Sequence, residues 1–166
     1  MALVIEDGTG LAGAESFATV AEARAFATAR GVALSATDSV VEVALRNASD
    51  YLGSLELRWQ GSRSTAVQAL GWPRKCVMIY GTAFAEDAIP VQLINAQCQL
   101  CIDISAGTVL QPTGQGREVI RTKVDVIETE YAKQGSGTVV PEPTKAMAIL
   151  EPLMKSGGMA VRSLRV

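Results

Sequence analysis

The stretch "PVQLINAQCQLCIDISAG", residues 90–107, decides the fold. Pro90 is suited to the first position of a helix, and Gly107 can end one. Between them, residues of one face recur at three-to-four spacing, as an α-helix requires: Val91, Ile94, Cys98, Cys101, Ile102 and Ser105. The pattern predicts the most buried helix of the chain, on which the other elements are expected to pack.

A second helix is predicted near the start of the chain, over residues 20–30. Thr19 and Glu22 have the spacing of a capping box, in which each side chain satisfies a backbone amide of the other residue. Gly31 can supply the left-handed residue that ends the helix. The apolar residues 2–5 predict a short edge strand or a docked extended arm.

A third helix is predicted between Ser39 and Gly53. Ser39 and Glu42 repeat the capping-box spacing, and Gly53 repeats the C-terminal glycine. Apolar residues at steps of three and four place one face of this helix inside: Val41, Leu45, Ala48 and Leu52. This helix and the previous one are expected to form a helical hairpin.

The remaining segments are less regular. Glycine and proline interrupt residues 54–89, which predicts a long ordered loop with one helical turn. Residues 117–131 alternate with a period of two, which indicates a small β-strand or hairpin. A Gly/Pro-rich link, 135–143, precedes a last helix over 144–154, and an extended tail follows.

The predicted fold class is therefore mainly α, a helical bundle of about four helices with the long loop and the small β element. Residues 1–156 are expected to form a single helical domain, and residues 157–166 a C-terminal tail. The tail places apolar and basic residues after a Gly157-Gly158 hinge, so it is expected either to dock on a neighbouring molecule or to be a frayed terminus. Its candidate interface residues are Val161, Arg162, Leu164, Arg165 and Val166.

The composition argues against several classes of function. The chain of 166 residues carries 15 basic and 17 acidic side chains, a net charge of −2, so DNA contact would need a local basic patch. It has no histidine, which removes Ser-His-Asp and Cys-His nucleophilic sites and the commonest zinc sites. Three cysteines cannot all pair within one chain, and no signal or membrane segment is evident, so a cytoplasmic origin is expected.

Two motifs resemble functional sites but lack the required context. Residues 8–13, "GTGLAG", match a dinucleotide fingerprint, but the next segment is a capped helix rather than a strand. A flexible turn is the favoured interpretation, and a nucleotide-using enzyme is the lesser alternative. Cys98 and Cys101 lie mid-helix on the apolar face, where they are expected to act as small hydrophobes. The sequence thus predicts no catalytic residue, no metal site, no cofactor and no enzyme activity.

The interrupted loop combines arginine with tryptophan. This composition allows three interpretations: stacking on the bases of single-stranded DNA, a protein–protein interface, or tryptophans that fill a core otherwise made of Ala and Val. The candidate interface residues are Arg58, Trp59, Arg63, Trp72 and Arg74.

Several motifs follow one another in an order that resembles a known family of tailed-phage and prophage proteins. These are "EDGTGLAGAESFATVAEARAFATARG" (6–31), "ALRNASDYL" (44–52), "RWQGSRS" (58–64), "QALGWPR" (68–74), "IPVQLINAQCQL" (89–100), "VDVIETEYA" (124–132) and "LEPLM" (150–154). The family is labelled DnaT-like single-stranded-DNA-binding protein, and its members resemble head-tail adaptors, or connectors.

The resemblance implies a structural adaptor subunit of a bacteriophage. It would form a homo-oligomeric ring, a dodecamer, beneath the portal, extend the DNA channel and join head to tail. The implied partners are the portal protein, neighbouring copies, further neck or tail proteins, and packaged DNA that passes without sequence-specific binding; no membrane is involved. The implied location is the virion neck, after synthesis in the host cytoplasm. The alternative is a single-stranded-DNA-binding module that uses the Trp/Arg loop.

Overall fold

The structure, a computed structural model, describes residues 3–110, 119–123, 128–131 and 144–155. Within them the chain forms four helices, two 3₁₀ turns and three two-stranded antiparallel sheets. The helices are α1 Val20–Thr28, α2 Asp38–Ser54, α3 Val91–Ser105 and α4 Thr144–Leu150, and the 3₁₀ turns are Glu56–Arg58 and Glu151–Leu153. The sheets pair β1 Ser62–Arg63 with β2 Arg74–Lys75, β3 Met78–Ile79 with β4 Thr82–Ala83, and β5 Val119–Lys123 with β6 Glu128–Tyr131.

The predicted class, a helical bundle, is wrong, because the described part of the chain is a small mixed α/β domain. Much of the difference lies in residues 54–89, where two short hairpins interrupt the predicted loop. The helical turn predicted there is present as the 3₁₀ turn Glu56–Arg58. At Gly61, φ is +63° and an added Cβ would overlap the carbonyl of Lys75, so only glycine lets these strands approach. The hairpin predicted within residues 117–131 is present as the β5–β6 pair.

Helix α3 is the centre of the domain, as predicted. It packs against α1, α2 and α4. Its buried residues are Leu93, Ala96, Gln97, Cys98, Gln99, Leu100, Cys101 and Ile102. Gly107, with φ of +91°, ends the helix, and the Thr108 amide donates to the Asp103 carbonyl at 3.0 Å.

Helix α1 has the predicted caps at both ends. The Glu22 amide donates to the Thr19 hydroxyl oxygen at 3.1 Å, and the Thr19 amide donates to the Glu22 carboxylate at 2.7 Å. Gly31 has φ of +73°, and the next amide, that of Val32, donates back to the Ala27 carbonyl at 3.0 Å. Regular helix stops at Thr28, two residues earlier than predicted.

Helix α2 differs from its prediction at both ends. The predicted Ser39–Glu42 capping box does not form; the helix begins at Asp38 without a side-chain cap. The Glu42 carboxylate instead forms an ion pair with Arg46, one turn further along the helix, with Oε2 and Nη1 3.6 Å apart. The helix runs through Gly53, so this glycine does not end it. The predicted inner face is buried: Val41, Leu45, Ala48 and Leu52.

The side chain of Gln97 connects α3 to two other segments. It is fully buried, and its Oε1 accepts from the amides of Phe17 and Ala18, both at 2.9 Å. Its Nε2 lies 2.7–3.0 Å from three acceptors, which are Ser16 Oγ, Leu45 O and Ser49 Oγ. One amide thereby fixes the segment before α1 and the middle of α2 against α3. Among the described residues, no helix is long and apolar enough to cross a bilayer.

We predict that Gln97→Leu lowers the free energy of unfolding by about 1–3 kcal/mol or more, because the buried Phe17 amide loses its acceptor and the Ala18 amide keeps only the Ser16 hydroxyl. Gln92→Leu makes the same change on the same helix at a partly exposed position. This control should stay within about 0.5 kcal/mol. Urea unfolding of both variants measures the difference, and equal losses would contradict the role of Gln97.

Candidate nucleic-acid interface

Both tryptophans of the Trp/Arg loop lie in the core. Trp59 is 1% exposed and Trp72 is 0% exposed. Their rings meet edge to face with centroids 6.2 Å apart, and Trp72 makes a similar contact with Phe84 at 6.4 Å. The structure thus matches the third interpretation of this loop, in which tryptophans fill the core. Neither ring presents a face on which a base could stack.

Arg74 is also part of the scaffold. It is 5% exposed, and its guanidinium donates to the backbone carbonyls of Gln60, Gly61 and Gly71 at 2.7–3.1 Å. Burial lowers the pKa of this guanidinium from its ordinary value. The side chain holds the β1–β2 hairpin together and does not face solvent.

Arg63 forms a bidentate pair with Glu56, with Nη2 and Oε2 2.6 Å apart. The hydrogen bonds lower the pKa of Glu56 and raise that of Arg63. The Arg63 Nη1 group also donates to the Gln68 carbonyl at 2.9 Å. These hydrogen bonds hold the Arg63 side chain against its own domain. Of the predicted loop residues, Arg58 is the one that lies exposed at the surface.

An exposed aromatic side chain lies on a different element, the turn between β3 and β4. Tyr80 is 79% exposed. Tyr80 and Gly81 have φ of +51° and +80°, the paired positive values of a tight type I′ turn. A non-glycine residue in this conformation costs about 1–2 kcal/mol. A strained, exposed aromatic residue at a hairpin tip is a candidate contact residue.

The β3–β4 hairpin is attached to two other segments by the side chain of Gln60. Its Oε1 accepts from the Met78 amide at 3.2 Å. Its Nε2 donates to the carbonyls of Pro152 and Met154 at 2.9 and 3.1 Å. The hairpin, the 3₁₀ turn beside Gln60 and the end of the described chain at Lys155 therefore share one region of the surface.

Two cations belong to this region. The Lys155 amide donates to the Arg58 carbonyl at 2.7 Å, and the Lys155 ammonium donates to the Leu57 carbonyl at 3.0 Å. Arg58 and Lys155 are exposed, and the apolar residues beside them, Leu57 and Met78, are 87% and 49% exposed. We refer to these residues as the Tyr80 surface: Leu57, Arg58, Met78, Tyr80 and Lys155.

Sequence reasoning missed Tyr80, although a local signal was present. Short apolar stretches flank the pair Tyr80-Gly81, and a two-residue connection with glycine is typical of a hairpin turn. The two tryptophans were predicted as interface residues because composition alone does not distinguish a core aromatic residue from an exposed one.

In the glycine motif, residues 8–13, three backbone amides are hydrogen-bonded to the carboxylate of Glu6. Glu6 is 3% exposed, and its two oxygens accept from the amides of Gly8, Gly10 and Leu11 at 2.9–3.0 Å. These amides are the donors that a phosphate group would need, and the Glu6 carboxylate occupies them. An added Cβ at Gly8 would also overlap the Asp87 carbonyl. The motif is an ordered turn that docks on a neighbouring loop.

The two helical cysteines are buried, as expected for small hydrophobes. Burial raises the pKa of Cys98 to about 12 and that of Cys101 to about 11, so both stay thiols at neutral pH. No group of potential metal ligands forms within the described ranges. The predicted interface residues of the tail lie outside those ranges: Val161, Arg162, Leu164, Arg165 and Val166.

A family model matches the whole chain, residues 1–166. Its description is "Putative DnaT-like ssDNA binding protein". The chain belongs to this family. Neither a curated protein nor a solved structure matches it.

The predicted head-tail adaptor is therefore wrong, because the matching family is a DnaT-like single-stranded-DNA-binding family and not an adaptor or connector family. An ordered set of short motifs identifies a family, but it contains no information about a ring or a portal. Of the predicted partners, DNA is the one that the family description supports. A location in the virion remains a prediction.

Proposed function

We propose that this protein binds single-stranded DNA through the Tyr80 surface and catalyses no reaction. The observation that carries the proposal is an aromatic ring, 79% exposed, at the tip of a tight hairpin. Gln60 links this hairpin by hydrogen bonds to the segment that ends at Lys155, which is bonded in turn to Arg58, and both cations are exposed. The family description supports the same ligand.

An exposed aromatic ring and nearby cations are the two components that single-strand binders combine. Every base has a π-face, so stacking on tyrosine tolerates any sequence, while lysine and arginine hold the phosphates. In a duplex the bases are already stacked and paired, so the Tyr80 ring would have no base face to contact. This geometry favours single strands over duplex DNA.

The local charge matters because the net charge of the chain is −2. Within the described part of the chain, two carboxylates belong to this region. Glu151 is exposed in the 3₁₀ turn that packs on β3. Glu56 is paired with Arg63, and its Oε1 lies 3.8 Å from Arg74 Nη1. Glu56 therefore adds little repulsion toward a phosphate. The Lys155 ammonium has three donors, of which the Leu57 carbonyl takes one. A patch of this size gives salt-dependent binding through few phosphate contacts.

Truncating the tyrosine should separate stacking from folding. We expect Tyr80→Ala to raise the Kd for a fluorescein-labelled oligothymidine by about 5- to 150-fold, the range that corresponds to about 1–3 kcal/mol of stacking. Tyr80→Phe keeps the ring and should bind within a few-fold of the natural chain. Fluorescence anisotropy at fixed salt measures both, and an unchanged Kd for Tyr80→Ala would exclude this tyrosine from the interface.

The contribution of Arg58 and Lys155 should appear in the salt dependence of the Kd for single-stranded DNA. We predict that the double variant Arg58→Ala, Lys155→Ala lowers the slope of log Kd against log salt by about 1.4, since each phosphate contact on a single strand contributes about 0.7. Arg30→Ala removes an exposed cation just beyond the end of α1 and should leave the slope unchanged. Equal slopes for all three chains would place the phosphate contacts elsewhere.

A further inference from the structure

A groove of about 420 Å³ opens between α2 and the C-terminal end of α3. Asn47 and Asp50 line it from α2, and Ile104, Thr108 and Val109 line it from the end of α3 and the residues beyond. None of the residues that line it takes part in the hydrogen bonds that hold the Tyr80 surface together. Its lining combines apolar side chains with a carboxylate.

The charge of the groove is negative. Asp50 is exposed, and the C-terminal end of a helix has a partial negative charge from its aligned peptide dipoles. Asp103 lies on the same last turn of α3 as Ile104. Among the described residues, none that lines the groove has a basic side chain. Val109 is 65% exposed, which leaves apolar surface beside the carboxylate. The groove suits a segment that combines arginine with apolar side chains.

One segment of this chain has that composition. Residues 157–166, "GGMAVRSLRV", interleave two arginines with apolar residues after two glycines, and they lie outside the described residues. We infer that this segment docks in the groove of its own chain, with Arg162 or Arg165 facing Asp50 and its apolar side chains covering Ile104 and Val109.

The chain length allows docking within one chain. Lys155 is hydrogen-bonded to Arg58, and helical rises of about 1.5–2.0 Å per residue between Arg58 and Asp50 place Lys155 within about 20 Å of Asp50. The extended chain from Lys155 to Arg162 spans up to about 23 Å at about 3.3 Å per residue. The first arginine can therefore reach the groove without a second copy. This docking is independent of DNA binding.

A nitroxide spin label tests the contact in the full chain. The label is attached at Ser163→Cys in a Cys76→Ser background, because Cys98 and Cys101 are buried, have raised thiol pKa values and should stay unlabelled. We expect paramagnetic broadening of the amide signals of Gly107–Val109. No broadening there would overturn the proposal.

Charge variants test whether the contact depends on the pairing of Asp50 with the arginines of the tail. Asp50→Lys turns attraction into repulsion and should reduce the broadening several-fold. Asp87→Lys, the same change at an exposed loop position away from α2, should not. Adding Arg162→Glu and Arg165→Glu to Asp50→Lys should restore it. Failure of this rescue would contradict the pairing.

Mixing experiments test the same-chain assignment. When an isotope-labelled chain without nitroxide is mixed with a spin-labelled chain without isotope, only contact between copies can broaden the observed signals. We expect no broadening in that sample. Broadening there as strong as within one chain would overturn docking within the chain.

Discussion

A buried amide has to satisfy its hydrogen bonds, and in this domain that constraint fixes the arrangement of the helices. Gln97 lies on the central helix, and its partners come from the segment before α1 and from α2. Because an unpaired buried polar group costs about 1–3 kcal/mol, α3 has one favourable register against both segments. Gln60 does the same at the surface, where it joins the β3–β4 hairpin to residues 152–154.

The Trp/Arg loop is better understood as scaffold than as binding surface. The tryptophans supply large side chains to a core that is otherwise rich in alanine, and Arg74 satisfies the carbonyls of the glycine turns around them. This packing gives an interrupted, glycine-rich segment a defined shape. Trp72 also contacts Phe84, the residue that follows β4, and Tyr80 is exposed on the tight turn of this hairpin.

The features that the sequence predicted correctly are those that depend on residues close together in the chain. The α1 caps and the end of α3 depend on residues within one turn, and both were predicted. The start of α2 was missed because the Ser39–Glu42 spacing fits a capping box that does not form. Asp38 instead pairs with Arg24 of another helix, a contact that local spacing does not reveal. Burial of the tryptophans was one of three open interpretations, since burial depends on contacts far apart in sequence. The head-tail adaptor family inferred from the ordered motifs was wrong, since short motifs contain no information about assembly.

The central claim is that single-stranded DNA contacts the Tyr80 surface while the tryptophans stay in the core. Nuclear magnetic resonance of the isotope-labelled full chain, titrated with a short oligothymidine, tests it most directly. The account predicts that amide shift changes concentrate at residues 57–58, 78–83 and 155, with the indole N–H signals of Trp59 and Trp72 little changed. Large shifts of both indoles, or changes confined to other surfaces, would contradict it.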